Sequence, residues 1–256
     1  MKHFTRYIPN TLTCISLMFG FYAAIAGISG HFFIAMIAIL IAAVFDFCDG
    51  LAARMLKAYS AMGKELDSLA DVISFGVAPG MMLFCFLDQL LHNLSWHESF
   101  VCKIILLVAF TVPVFSGLRL AKFNIDERQK TSFIGLPVPA HAILWSSLVV
   151  VLANDVHASF CIFPQVAGLI AAIPAVILLS GVSVMITVTS LLLVSEIPMF
   201  SLKMTSFSWK ANKLPYLLIT SGILFILFLG ITGIAATILL YILICIIRAG
   251  ASCSSR

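Results

Sequence analysis

The chain has 256 residues, of which 62% are hydrophobic and 10% charged, and its mean hydropathy is +1.13. Soluble domains are about 45–50% apolar and about 25% charged, so this composition excludes a soluble globule and a disordered chain. A net charge of +4 without a basic stretch interleaved with aromatic residues indicates no nucleic-acid partner. The composition predicts an all-α, polytopic membrane protein with lipid as its solvent.

Eight apolar stretches approach the length of roughly 17–25 residues that a helix needs to cross a bilayer. We expect the first to be kept as a span rather than cleaved as a signal peptide, because further spans follow it in quick succession. The sixth contains Gly181 and is either one tilted helix or two shorter ones. We predict eight transmembrane helices in a single domain, 1–256, with approximate limits 11–29, 31–55, 67–91, 101–122, 138–153, 165–194, 213–229 and 231–248.

The distribution of basic residues predicts the orientation. If the N-terminus is cytoplasmic and eight spans follow, 14 of the 15 Lys and Arg residues lie on the cytoplasmic side, and Lys103 alone lies outside. This asymmetry is the positive-inside pattern of membrane proteins. Splitting the sixth stretch in two would destroy it, so we favour eight spans with both termini cytoplasmic, in the cell (inner) membrane.

Acidic residues are concentrated where the second and third spans approach the cytoplasmic interface. Asp46 and Asp49 are spaced i, i+3, and Asp67 and Asp71 are spaced i, i+4, so each pair shares one helix face. The short polar stretch between the pairs, in which Gly63 can supply a turn, predicts two antiparallel helices whose acidic faces meet. A carboxylate within the bilayer is costly, so the cluster calls for neutralisation by protons or cations.

Oxygen ligands without a nearby His or Cys suit a hard ion such as Mg²⁺ or Mn²⁺, with Ca²⁺ also possible. Four carboxylates can hold two divalent cations, an arrangement used in phosphoryl transfer. The alternative is that the acids cap helices or pair with Arg54, Lys57 and Lys64. Near them, Gly50 and Ala53 leave room for a flat ligand, and Arg54 offers a donor fork suited to phosphate.

These residues form the pattern D-x2-D-G-x2-A-R-x8-G-x3-D-x3-D over residues 46–71. The pattern matches the signature of the CDP-alcohol phosphotransferase family, which the chain therefore resembles. Four further stretches look like the phosphatidylserine synthase branch of that family, and the likeness covers roughly the first 140 residues. They are IPNTLT near the start, DSLADVISFGVAPG around the last two aspartates, RLAKFN at Arg119–Asn124 and FIGLPVPA at Phe133–Ala140.

The resemblance implies a transferase that moves a phosphatidyl group from CDP-diacylglycerol to the hydroxyl of L-serine, giving CMP and phosphatidylserine. It implies that two divalent ions are held by Asp46, Asp49, Asp67 and Asp71, and that Asp71 is also the catalytic base. It further places Gly50, Ala53 and Gly63 at the cytidine and Arg54 at a phosphate. A homodimer is typical of the members that this chain resembles.

The shared signature does not determine the acceptor. Ser74 follows Asp71 by three residues on the same helix face, so it is a candidate for binding serine. Arg119 and Lys122, at the cytoplasmic end of the fourth span, are candidates for its carboxylate, although both also suit snorkelling to lipid head groups.

Two other functions remain open. The same chemistry could use glycerol 3-phosphate or inositol phosphate as acceptor. Alternatively, the acids could form the ion site of a cation or solute transporter, but such proteins often show repeated halves and midplane sites, and we find no internal repeat.

Overall fold

The computed structural model describes residues 7–94, 100–126, 133–154, 173–199 and 213–254. Nearly all of these residues are helical, as the composition predicts. The helices are α1 (Tyr7–Ile28), α2 (Phe32–Met55), α3 (Ala61–Asp71), α4 (Ala78–Asn93), α5 (Phe100–Leu107), α6 (Thr111–Ile125), α7 (Val138–Leu152), α8 (Ala175–Val194), α9 (Lys213–Leu229) and α10 (Ile231–Ser254).

Six of the described helical runs are long and apolar enough to cross a membrane. They coincide with six of the predicted spans, and the remaining two predicted spans coincide with shorter apolar helices, Val138–Leu152 and Leu214–Leu229. The protein is therefore a polytopic membrane helix bundle, and the count of eight crossings stays a prediction. Gly181 lies inside α8 without interrupting it. The first part of the predicted sixth span, 165–172, lies outside the described residues.

The third predicted span belongs to a continuous helical run, Ala61–Asn93, that begins earlier than expected. Ser60 caps its start, because its side chain accepts a hydrogen bond of 2.9 Å from the Gly63 amide. Between α3 and α4 the run widens into a π-helical segment, Val72–Val77, which follows Asp71 directly. Segments of this kind occur frequently at functional sites.

Helix α1 packs along α2 and also contacts α3, the π-helical segment and α4. Two glycines of α1 allow the close approach. A Cβ at Gly20 would lie 2.7 Å from Ser74 Cα, and a Cβ at Gly27 would lie 2.6 Å from Met82 Cγ. Small residues at helix contacts are the usual means of close packing in membranes. The large, fully buried side chains of the core include Phe75, Phe86 and Trp145.

A short antiparallel strand pair was not predicted from the sequence. Strand β1 (Phe133–Ile134) pairs with β2 (Pro198–Met199), with Phe133 opposite Met199. Gly135 follows β1 with φ +78°, and a Cβ there would lie 2.5 Å from the Leu193 carbonyl oxygen. Only glycine suits both the backbone conformation and the space. This pairing ties the start of α7 to the end of α8.

Replacing Gly20 with alanine is expected to lower the thermal unfolding midpoint of the detergent-solubilised protein. The new Cβ would meet the backbone of Ser74, and overpacking of this kind costs about 1–3 kcal/mol. Gly181→Ala is the matched control, because a Cβ there meets nothing within 4 Å and alanine favours a helix. Equal midpoints for the two variants would contradict the close packing of α1.

Candidate active site

The acidic faces of α2 and α3 meet. One carboxylate oxygen from each of Asp46, Asp49 and Asp67 lies within 4.8 Å of the other two. The Asp46 carboxyl is also within hydrogen-bonding reach of the Asp67 and Asp71 carboxyls. The structure therefore brings the four predicted acids into one group, which we call the carboxylate cluster.

The carboxylate cluster has no close basic partner in the part of the chain that the structure describes, because no Lys or Arg nitrogen there lies within 4.0 Å of its oxygens. Arg54 Nε donates instead to the Gly50 carbonyl at 2.9 Å, and Lys64 Nζ donates to the Asn124 carbonyl at 3.5 Å. Neither α2 nor α3 has an acid in its first turn. Ion pairing and helix capping thus do not account for the four acids.

Asp49 is the most buried member of the cluster, with 5% of its surface exposed. Its Oδ2 accepts a hydrogen bond of 2.6 Å from Thr13 Oγ1 on α1. A hydroxyl donor to a carboxylate makes a strong bond that fixes the orientation of the acceptor. Thr13 was not among the predicted site residues, although it ends the stretch IPNTLT that carries part of the resemblance. Helix α1 therefore takes part in the site.

A cavity of about 180 Å³ opens beside the cluster. Its lining contains two of the acids, three of the predicted ligand-binding residues, and residues from α1 and from the loop before α3. Its lining residues are Pro9, Asn10, Thr13, Asp49, Gly50, Ala53, Ala58, Tyr59, Ser60, Gly63, Lys64 and Asp67.

The two signature glycines in this cavity have different roles. A Cβ at Gly50 would find its nearest neighbour, Arg54 Nη2, only at 3.9 Å. A Cβ at Gly63 would lie 2.9 Å from both Asn10 Oδ1 and Ser60 Oγ. Gly50 therefore leaves space for a ligand, whereas Gly63 lets α3 approach α1.

The turn between the two acid pairs is made at Lys57 and not, as predicted, at Gly63. Lys57 has φ +50°. The Lys57 amide bonds to the Arg54 carbonyl at 3.3 Å, and the Ala58 amide bonds to the Ala53 carbonyl at 3.0 Å. This is the Schellman arrangement, in which a left-handed residue closes the end of a helix. It directs the chain back so that α3 runs beside α2.

Arg119 of α6 lies near the fourth acid and interacts electrostatically with Asp71 at longer range than a salt bridge. The residue is 8% exposed, and its Nε has no hydrogen-bond partner. Its guanidinium carbon lies 5.0 Å from the centroid of the Phe123 ring, a cation–π distance. A buried donor without a partner is costly, so this guanidinium is suited to receiving an anionic ligand.

The other two predicted serine-binding residues have partners within the protein. Ser74 is fully buried, and its hydroxyl donates to the Ser16 carbonyl on α1 at 3.2 Å. Lys122 Nζ donates to the Val194 carbonyl at 3.3 Å and lies 3.6 Å from Glu196 Oε1. The first contact connects the π-helical segment to α1, and the second connects α6 to the end of α8. Serine binding by either residue stays a prediction.

The model of the CDP-alcohol phosphatidyltransferase family matches residues 6–177, well over half of the chain. The chain belongs to this family. The match contains every residue of the carboxylate cluster and every residue that lines the cavity. Helices α9 and α10 lie outside it.

Curated relatives in this family are named for serine as acceptor. A CDP-diacylglycerol–serine O-phosphatidyltransferase of Bacillus subtilis is 38% identical over 134 residues, which cover 52% of this chain and 70% of that protein. An enzyme of the same name from Helicobacter pylori is 34% identical over 151 residues, covering 58% and 59%. An archaetidylserine synthase of Methanothermobacter thermautotrophicus is 32% identical over 150 residues, covering 57% and 60%. The chain thus spans 59–70% of the length of these relatives.

Replacing Thr13 with valine is expected to weaken Mn²⁺ binding by about 10- to 100-fold, the usual effect of removing a partner that orients a metal ligand. Valine keeps the shape of threonine and removes the donor to Asp49 Oδ2. Free Mn²⁺ measured by electron paramagnetic resonance reports the affinity. Thr13→Ser keeps the hydroxyl, so its Mn²⁺ affinity should stay near that of the wild type. Unchanged Mn²⁺ affinity in Thr13→Val would show that the bond from Thr13 to Asp49 does not support metal binding.

Proposed function

We propose that the protein transfers the phosphatidyl group of CDP-diacylglycerol to the hydroxyl of L-serine, releasing CMP and leaving phosphatidylserine in the bilayer. The observation that carries the proposal is the carboxylate cluster, which lies beside a cavity lined by the glycines and alanine of the family signature. The names of the relatives support serine as the acceptor.

The donor set suits two divalent cations, Mg²⁺ or Mn²⁺ with Ca²⁺ as an alternative, held by Asp46, Asp49, Asp67 and Asp71. Three of these acids bring oxygens within 4.8 Å of one another, and hard ions prefer oxygen ligands. Bound divalent ions stabilise negative charge on the diphosphate and on the leaving group.

On the donor side, Gly50, Ala53 and Gly63 would face the cytidine, and Arg54 would contact a phosphate. The open space at Gly50 supports the first assignment. Arg54 is exposed and uses only Nε for the Gly50 carbonyl. Because a guanidinium carries five N–H donors, the others remain for a phosphate oxygen.

On the acceptor side, Asp71 would take the proton from the serine hydroxyl as the oxygen attacks the phosphorus that bears diacylglycerol. A bond forms between this oxygen and phosphorus, and the bond from phosphorus to CMP breaks. A positioned base is needed because a hydroxyl is a weak nucleophile at neutral pH. Arg119, near Asp71 and with an unpartnered Nε, is suited to the serine carboxylate, while direct serine contacts by Ser74 and Lys122 stay predictions.

We place the site at the cytoplasmic face of the cell (inner) membrane, in a chain with eight spans and cytoplasmic termini. The one-sided distribution of Lys and Arg residues supports this orientation. Serine and the cytidine group then come from water while the acyl chains stay in lipid. A homodimer is part of the proposal by family resemblance.

An acceptor assay tests the proposal. Purified protein receives CDP-diacylglycerol, Mg²⁺ or Mn²⁺, and one of serine, glycerol 3-phosphate or inositol phosphate. We expect CMP release with serine alone. Release with another acceptor would change the substrate assignment, and no release with any acceptor would favour the transporter alternative.

Replacing Asp71 with asparagine is expected to lower kcat by about 10²- to 10⁴-fold, the contribution typical of a general base. Asparagine keeps the size of the side chain and can still hydrogen-bond to Asp46, so the fold should be retained, and kcat is measured at saturating Mg²⁺ because Asp71 is also assigned as a metal ligand. Asp88→Asn is the matched control, because Asp88 lies on the same helical run and contacts His92. Wild-type turnover in Asp71→Asn would remove Asp71 as the base.

A further inference from the structure

Tyr59 is an exposed aromatic residue that lines the cavity. It lies in the short polar loop between α2 and α3, and 69% of its surface is exposed. Core packing therefore does not explain its position. The family signature leaves this position unspecified, so the sequence pattern gave no reason to select it.

The backbone on both sides of Tyr59 is held in place. On one side, Ala58 is buried and its amide bonds to the Ala53 carbonyl at 3.0 Å. On the other, Ser60 caps α3 through its bond to the Gly63 amide. With both neighbours held, the Tyr59 backbone is fixed beside the cavity, which lowers the entropic cost of ordering its ring on a ligand.

The rest of the cavity suits a flat ligand. Gly50, Ala53 and Gly63 project little or no side chain into it, and the surface at Gly50 is open. A volume of about 180 Å³ is smaller than the roughly 300–1,000 Å³ of a pocket for a drug-sized ligand. The cavity thus fits one planar group of a larger substrate better than the whole substrate.

We propose that Tyr59 stacks on the pyrimidine base of the nucleotide end of the donor, and so determines how tightly that end is bound. The inference rests on the proposed function, which supplies a cytidine nucleotide at this cavity. Stacking of a base on an aromatic side chain contributes enough to change affinity by about 5- to 150-fold. Apart from stacking, an exposed tyrosine near a bilayer can serve as an anchor at the membrane interface.

Isothermal titration of the detergent-solubilised full chain with CMP in the presence of Mg²⁺ tests the inference. Tyr59→Ala should weaken CMP binding by about 5- to 150-fold, whereas Tyr59→Phe, which keeps the ring, should bind as wild type does. Tyr22→Ala is the matched control, since Tyr22 is an exposed tyrosine of α1 that does not line the cavity. Titration with inorganic pyrophosphate, which has no base, should give the same affinity in all four proteins.

Equal CMP affinity in Tyr59→Ala and wild type would overturn the inference, and Tyr59 would then be an interface anchor. Equal losses for CMP and pyrophosphate would also overturn it, because they would indicate a general disturbance of the site. The outcome is separable from the proposed reaction. CMP binding that depends on Tyr59, with no turnover on any acceptor, would reject the transferase and retain the stacking. Turnover on serine, with CMP affinity unchanged in Tyr59→Ala, would support the transferase and reject the stacking.

Discussion

The repulsion among four carboxylates in an apolar helix bundle is the constraint on which the rest of the site depends. Each charged carboxylate has a free-energy cost in such an apolar bundle. The described residues supply no basic group close enough to form an ion pair with the cluster. The fold nevertheless brings three of them within 4.8 Å. Such an arrangement is stable only with protons or cations, so a cation that binds there also stabilises the packing of α2 against α3.

Helix α1 is the support that makes this arrangement possible. It presents Gly20 to the π-helical segment and a hydroxyl from Thr13 to Asp49. On the other side, α6 brings Arg119 toward Asp71. The cluster thus has two distinct neighbourhoods: small residues and an open cavity near Asp49, and a buried guanidinium near Asp71. The proposed reaction, which joins a nucleotide-linked lipid to a small zwitterion, would need different surroundings for its two substrates.

Much of this was predictable, because apolar length and helical spacing are strong local signals. They located the described apolar helices, although the third begins earlier than predicted and the first part of the sixth lies outside the described residues. They also placed Asp46, Asp49, Asp67 and Asp71 on facing surfaces. Two kinds of feature were not predictable. The left-handed residue at the turn is Lys57 rather than a glycine, and the pairing of β1 with β2 involves two residues from each strand, too few to show a period. The contact of Thr13 with Asp49 and the exposure of Tyr59 depend on tertiary packing, which the spacing of residues along the sequence does not reveal.

The Schellman turn at Lys57 has a consequence for how the protein is assembled. Because it returns the chain within a few residues, every member of the carboxylate cluster and every residue lining the cavity comes from residues 9–71. Closing such short loops has a small entropic cost. All of these residues precede α6 in the chain, so the proposed nucleotide side of the site can form during synthesis before α6 adds Arg119. The order of translation would then build the donor side first and the acceptor side around it.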